Sequence, residues 1–126
     1  MVKIHIEPDC GNAPRKKTLR DLVVAVADRD ATTIRGILAN DIAWALVGER
    51  QLHGPDAVEE WIAAGPTVAE ITFGSLLTHG AGASVNGVLS LDDGTTVEFC
   101  HVLQFTGAAK TAKLKEVTTY LVETTS

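Results

Sequence analysis

Basic clusters, long apolar runs and closely spaced cysteines are all scarce in this chain of 126 residues. The formal net charge is -5 at pH 7, and the one basic cluster, at residues 15–17, is too short to predict a nucleic-acid partner. No apolar run approaches the length that spans a bilayer, so we expect no membrane partner. The first residues alternate like a strand and lack a signal-peptide core, which predicts a cytoplasmic protein.

Metal and cofactor motifs are also missing from the sequence. The only two cysteines, Cys10 and Cys100, are far apart and fit reduced thiols better than a disulfide. The four histidines show no close pairing, and no glycine-rich phosphate loop occurs. We therefore expect neither a metal nor a cofactor.

The order of the predicted elements indicates a single α+β domain over residues 1–126. Apolar residues recur at helical spacing after Pro14, after Asp30 and after Gly54, with Asn12 and Asp30 as candidate N-caps. Residues 42–47 predict a strand. Beyond residue 69 the apolar period changes to two, which predicts four more strands at 69–78, 83–91, 95–105 and 114–123. Helices followed by such a meander favour a curved antiparallel sheet wrapped around three helices.

One hairpin predicts the position of a polar site. If Asp93-Gly94 form a two-residue turn, Asn86 lies directly opposite His101 on an otherwise apolar strand face. If the preceding hairpin turns at Gly80-Ala81, Ser75 extends this polar row across the sheet, and Phe73 faces Val88 in the next row.

Such a row has two interpretations. It could orient a ligand in an apolar pocket, or it could be a satisfied internal hydrogen-bond network. A further set, Glu116, Thr118 and Tyr120, shares one face of the last strand, and the loop before this strand leaves open whether that face is inward.

The opposite face of the same hairpin is predicted to be apolar. It would carry Val85, Gly87, Leu89, Leu91, Cys100 and Val102. Contiguous exposed apolar surface usually marks an interaction site, so we expect a homodimer through this outer sheet face.

Besides the order of its elements, the chain has several telling stretches: Asp28-Arg29-Asp30, 38–44, 53–58 and the last two strands. In these stretches it resembles the nuclear transport factor 2-like (NTF2-like) superfamily, whose cone-shaped α+β fold is shared with ketosteroid isomerase, scytalone dehydratase, limonene epoxide hydrolase and SnoaL-like cyclases. More narrowly, 9–14, 78–80, 85–87 and Phe99-Cys100 are similar to a group of small uncharacterised bacterial members. The resemblance covers nearly the whole chain and implies an apolar cavity inside the cone.

The resemblance does not transfer a known catalytic set. The general-base Asp of ketosteroid isomerase would fall near Leu46, its oxyanion-hole Tyr near Leu22 and its protonated Asp at His101. The Asp-Arg-Asp set of the epoxide hydrolases has no counterpart, and the Asp that the cyclases pair with His is not evident. What the resemblance implies is a cavity lined by Trp44, Leu46, Trp61, Phe73, Phe99 and Leu103, with His101 and Asn86 as polar groups. The predicted register adds Ser75 to the ligand-binding residues.

Two functions follow as hypotheses. In one, His101, oriented by Asn86, is the general acid or base of a cofactor-independent lyase, isomerase or cyclase acting on a small apolar molecule. In the other, the domain binds a hydrophobic ligand without catalysis, or only dimerises, and the Asn86–His101 pair is a structural hydrogen bond.

Overall fold

The computed structural model describes residues 2–7 and 14–124. Within these residues the elements are β1 (Lys3–His5), α1 (Pro14–Asp28), α2 (Ala31–Ile37), β2 (Leu38–Leu46), β3 (Arg50–His53), α3 (Gly54–Ala63), β4 (Val68–His79), β5 (Gly82–Leu91), β6 (Thr96–Phe105) and β7 (Leu114–Thr124). The predicted cap at Asn12 and the thiol of Cys10 lie outside the described residues. None of the described helices is long and apolar enough to cross a membrane.

The seven described strands form one curved, unclosed sheet in the order β1-β4-β5-β6-β7-β2-β3. Strands β4 to β7 are the predicted antiparallel meander, whereas β1 pairs in parallel with β4 and β2 in parallel with β7. The α+β fold with a curved sheet against three helices is thereby confirmed. The short β3, which has only one buried residue, was not predicted from the sequence.

The junction between α1 and α2 forms without a glycine. Arg29 takes a left-handed φ of 56°, and the N–H groups of Arg29 and Asp30 donate to the carbonyls of Val26 and Ala25. The Asp30 carboxylate then accepts from the backbone N–H of Thr33 at 3.2 Å and caps α2, as predicted. The Thr33 hydroxyl also donates to this carboxylate, at 2.6 Å, and the hydroxyl and then the N–H of Thr33 hold the pKa of Asp30 below its ordinary value.

The pairing register of β5 and β6 differs from the prediction by one residue. The loop contains three residues, Asp92, Asp93 and Gly94, because the N–H of Leu91 bonds the carbonyl of Thr95 at 2.8 Å. Gly94 alone of the three has positive φ, at 90°, which fits a type I turn with a bulge and not a primed two-residue turn.

This loop exchanges the two faces of β5. Val85, and not Asn86, lies opposite His101, while Asn86 lies opposite Cys100 on the outer, exposed face. Because side chains alternate along a strand, the change of one residue moves every β5 side chain to the other face. The predicted Asn86–His101 pair and the predicted outward position of Val85, Gly87, Leu89 and Leu91 are therefore wrong.

A β-bulge in β4 explains what Asn86 does instead. The pairing of β4 with β5 shifts between Phe73 and Leu76, and the Asn86 side chain accepts from the Ser75 N–H at 2.7 Å. A Cβ on Gly74 would lie 2.4 Å from this amide oxygen. Ser75 is exposed, and Phe73 faces Gly87 rather than Val88, so the predicted polar row does not form.

Gly87 is the position where the corrected register leaves least room. An added Cβ would lie 2.2 Å from the carbonyl oxygen of Thr72 and 3.0 Å from the Phe99 ring. We expect Gly87→Ala to lower the free energy of unfolding by about 3 kcal/mol, since overpacking displaces both backbone and ring. Gly36→Ala is the control: its Cβ meets nothing within 4 Å, and the change is expected to be neutral or slightly stabilising. Urea denaturation measures the stability of both variants. Equal stability would contradict the close approach of Gly87 to Thr72 and Phe99, and with it the corrected register.

Candidate functional site

A cavity of about 150 Å³ lies between the helices and the concave face of the sheet. Its wall comes from α1, the end of α3, the loop that follows α3, and strands β4 to β7. The lining residues are Val23, Val26, Ala27, Trp61, Ile62, Gly65, Pro66, Val68, Leu89, Leu91, Val97, Phe99, His101 and Leu121. His101 is the only ionisable side chain among these lining residues.

The mouth of the cavity is formed by residues that are still partly exposed. Leu121 is 45% exposed, and Gly65-Pro66 form the loop after α3. The guanidinium of Arg29, at the end of α1, donates to the carbonyl of Gly65. The left-handed junction after α1 therefore also holds the loop at the mouth.

His101 is held by a chain of polar groups from three neighbouring strands. Its Nδ1 lies 2.7 Å from Oγ1 of Thr119, and the indole Nε1–H of Trp44 donates to the same Oγ1 at 2.7 Å. His101 and Thr119 are directly paired across β6 and β7. His101 is 6% exposed and Thr119 1% exposed, so these hydrogen bonds lie in the interior.

Aromatic rings surround the imidazole. The centroid of the Phe99 ring lies 5.4 Å from the centroid of the imidazole, and the Trp44 ring is edge-on to the imidazole at a centroid distance of 6.2 Å. Trp61 packs on Trp44 at 5.5 Å and forms part of the cavity wall. Burial lowers the pKa of His101 from its ordinary value of 6.5 to about 4, so the ring is neutral at pH 7.

The structure brings only part of the predicted site together. Trp61, Phe99 and His101 lie on the cavity wall, and Trp44 lies behind it. The other predicted lining residues are elsewhere: Leu46, Phe73 and Leu103 are buried in the core, and Ser75 and Asn86 are on the outer face. Leu46, Phe73 and Leu103 belong to the packed core cluster and so do not line the cavity.

Thr119 is the site residue that the sequence did not reveal. Its strand has one face with Glu116, Thr118 and Tyr120 and another with Val117, Thr119 and Leu121, and the structure turns the second face inward. Two apolar residues around one threonine are the signal that favours this face. Glu116 and Tyr120 are on the outer face and contribute no acid or base to the cavity. In the described part of the chain, no group of three or more His, Cys, Asp or Glu residues could hold a metal ion.

The buried imidazole makes the stability of the protein depend on pH. In the unfolded chain His101 takes up a proton near pH 6.5, but in the folded protein only near pH 4. The unfolded state therefore binds more protons between these values, and stability falls as the pH is lowered from 6.5 to 4. With about 1.4 kcal/mol per pKa unit, the loss is roughly 3 kcal/mol.

Urea denaturation at several pH values measures this loss. His101→Gln, which cannot titrate, is the control and should remove most of the change between pH 6.5 and 4. An equal loss of stability in both proteins would show that other groups cause it.

The comparisons with known proteins establish the fold only. No protein-family model and no curated protein matches the sequence. An NTF2-like protein of unknown function from Burkholderia xenovorans superposes with a TM-score of 0.75 at 14% identity, covering 90% of this chain and 86% of the other. A putative ketosteroid isomerase from Kribbella flavida gives 0.73 at 18% identity, over 93% and 84% of the two chains.

A third structure has a bound small molecule. It is a hypothetical protein with a ketosteroid isomerase-like fold from Catenulispora acidiphila, in complex with trimethylamine, with a TM-score of 0.66 at 13% identity over 82% of this chain and 84% of the other. Identities this low carry no information about activity. The seven-stranded curved sheet on three helices, together with these superpositions, shows that this chain has the NTF2-like fold.

Proposed function

We propose that the protein binds a small apolar molecule in the cavity, with His101 as the polar contact for the ligand. The observation that supports this best is the composition of the wall, where one imidazole lies among aliphatic and aromatic side chains. Sites for small molecules are typically apolar with a few placed polar groups. The volume of about 150 Å³ suits a single ring, because an apolar cavity of similar size in another protein binds benzene.

Proton-transfer catalysis by His101 is the second candidate. It is favoured by the hydroxyl of Thr119, which holds one ring nitrogen and leaves Nε2 for a substrate. Opposed to it are the lowered pKa of His101 and the lack of a carboxylate among the lining residues. A lyase or isomerase of this kind would therefore rely on the substrate for its second acid or base, whereas ligand binding requires nothing more than the wall provides.

Ligand binding can be tested by blocking the cavity from α1. Val26→Phe adds a ring to the wall, and Val24→Phe adds the same ring two residues earlier on α1, outside the cavity. In a thermal-shift screen, single-ring aromatic compounds should stabilise the wild type and Val24→Phe but not Val26→Phe. A ligand at about 100 times its Kd raises the free energy of unfolding by roughly 2.7 kcal/mol. A ligand that stabilises all three proteins equally must bind elsewhere and would contradict the proposal.

His101→Ala separates the two candidates. For a proton-transfer enzyme, the variant should keep its affinity for substrate and lose turnover. For a binding protein, the ligands found in the screen are not converted by the wild type, and the variant shows only weaker binding. Product analysis by mass spectrometry after incubation with each ligand distinguishes these results.

We further propose that the outer face of β4 to β7 pairs with a second copy of the chain. The corrected register removes Val85, Gly87, Leu89 and Leu91 from this face. Exposed apolar side chains on three strands still support the proposal: Leu77 is 62%, Val102 48%, Tyr120 45% and Val122 60% exposed. Apolar surface of this kind is usually covered by a partner.

Light scattering at micromolar concentration is the test of this dimer. The wild type should have twice the mass of the chain, and Val122→Asp should be monomeric, because a charge would be buried at the contact. Val47→Asp is the matched control, since Val47 is a similarly exposed valine in the turn between β2 and β3. A monomeric wild type would disprove the proposal.

A further inference from the structure

The hydrogen bonds around Thr119 determine which nitrogen of His101 carries the proton. An indole Nε1–H can only donate, so Trp44 uses one acceptor position of the Thr119 oxygen at 2.7 Å. The hydroxyl hydrogen of Thr119 then needs an acceptor, because Thr119 is only 1% exposed and an unpaired buried donor is costly. Nδ1 of His101, also at 2.7 Å, is the acceptor that the described residues provide.

A neutral imidazole that accepts at Nδ1 carries its hydrogen on Nε2. The alternative tautomer would make Nδ1 a donor to Thr119, whose oxygen would then face two donors and whose own hydrogen would have no described partner. The lowered pKa of His101 is consistent with a ring that stays neutral. His101 lines the cavity, and Nε2 makes no hydrogen bond with any described residue, so Nε2–H is the donor left for a ligand.

We propose that Trp44 and Thr119 hold His101 as a hydrogen-bond donor, and that the ligand is an uncharged single-ring compound bearing an acceptor such as a carbonyl oxygen. The ligand class rests on the proposed function, whereas the tautomer does not. Thr119 is a positioning residue in this arrangement: it touches the imidazole and not the ligand. A ring fits beside Trp61 and Phe99, and a protonated amine is excluded because it would bring a buried charge against another donor.

The tautomer is tested first, without any ligand. Long-range proton–nitrogen NMR on protein labelled with ¹⁵N-histidine should show His101 with an unprotonated Nδ1 and a protonated Nε2 at pH 7. The reverse assignment would overturn the proposal. In Thr119→Val, which keeps the side-chain shape but removes the hydroxyl, the second tautomer should become detectable. Thr118→Val, on the outer face of the same strand, should leave the nitrogen shifts of His101 unchanged.

The ligand class is tested with a pair of compounds of the same shape. Acetophenone has a carbonyl where α-methylstyrene has a methylidene group. The preference for acetophenone over α-methylstyrene is the ratio of their two Kd values. This preference should be about three- to tenfold larger in the wild type than in His101→Leu, which has no donor. Calorimetric titration gives both constants, and retained binding of α-methylstyrene shows that the variant is folded.

The possible failures of this experiment are distinct. Equal ratios in the wild type and His101→Leu would leave binding in the cavity intact and overturn the assigned ligand class. Tighter binding of benzylammonium than of acetophenone to the wild type would also overturn it. If neither compound binds, the proposed function fails together with the ligand class, while the nitrogen shifts still decide the tautomer.

Discussion

The length of the loop between β5 and β6 is the constraint on which the remaining structure depends. Because strand side chains alternate between faces, adding one residue to this loop exchanges the inner and outer sets of β5. With three residues, Val85 and Leu89 face the helices together with Phe99 and His101. The concave surface is then apolar apart from the groups that bond His101, and the amide of Asn86 is left outside to satisfy a β-bulge.

The sequence predicts the elements of this fold better than their relative positions. Alternation over 83–91 and 95–105 is enough to locate both strands and to place His101 on the opposite face from Cys100. Asp92-Asp93-Gly94 is compatible with a two-residue and a three-residue loop, however, and the difference between them is a local choice of φ at Asp93. A pattern of polar and apolar residues does not contain that information, so the predicted partner of His101 was wrong.

The true partner of His101 could not be identified for a related reason. Thr119 lies in β7, which follows an irregular loop. The pairing of β6 with β7 shifts near the start of β7, between Gln104 and Phe105 of β6. Trp44 reaches Thr119 from β2, whose parallel pairing with β7 leaves no local signal, because parallel neighbours are not joined by a turn. Trp61 and Phe99 were predicted as lining residues, since large aromatic residues on inward faces tend to surround whatever space is left.

The interior of the described part of this protein contains very few polar side chains, and they bond one another except at Nε2 of His101, which is left for the cavity. His101 and Thr119 are the only buried polar residues in the described part of the chain. With the indole of Trp44 they form a chain in which each group has a defined role as donor or acceptor. Leaving one of these groups unpaired in such surroundings is costly, so the chain fixes the orientation of the imidazole as well as its protonation.

The hydrogen bond between Trp44 and Thr119 joins residues that are 75 positions apart in the chain. Trp44 lies in β2 and Thr119 in β7, and α3 and strands β3 to β6 lie between them in the sequence. The entropy of closing so long a loop must be overcome before either residue gains its hydrogen bond. The hydrogen bonds that hold His101 therefore depend on a contact between distant parts of the chain, and a fragment that lacks either strand cannot form them.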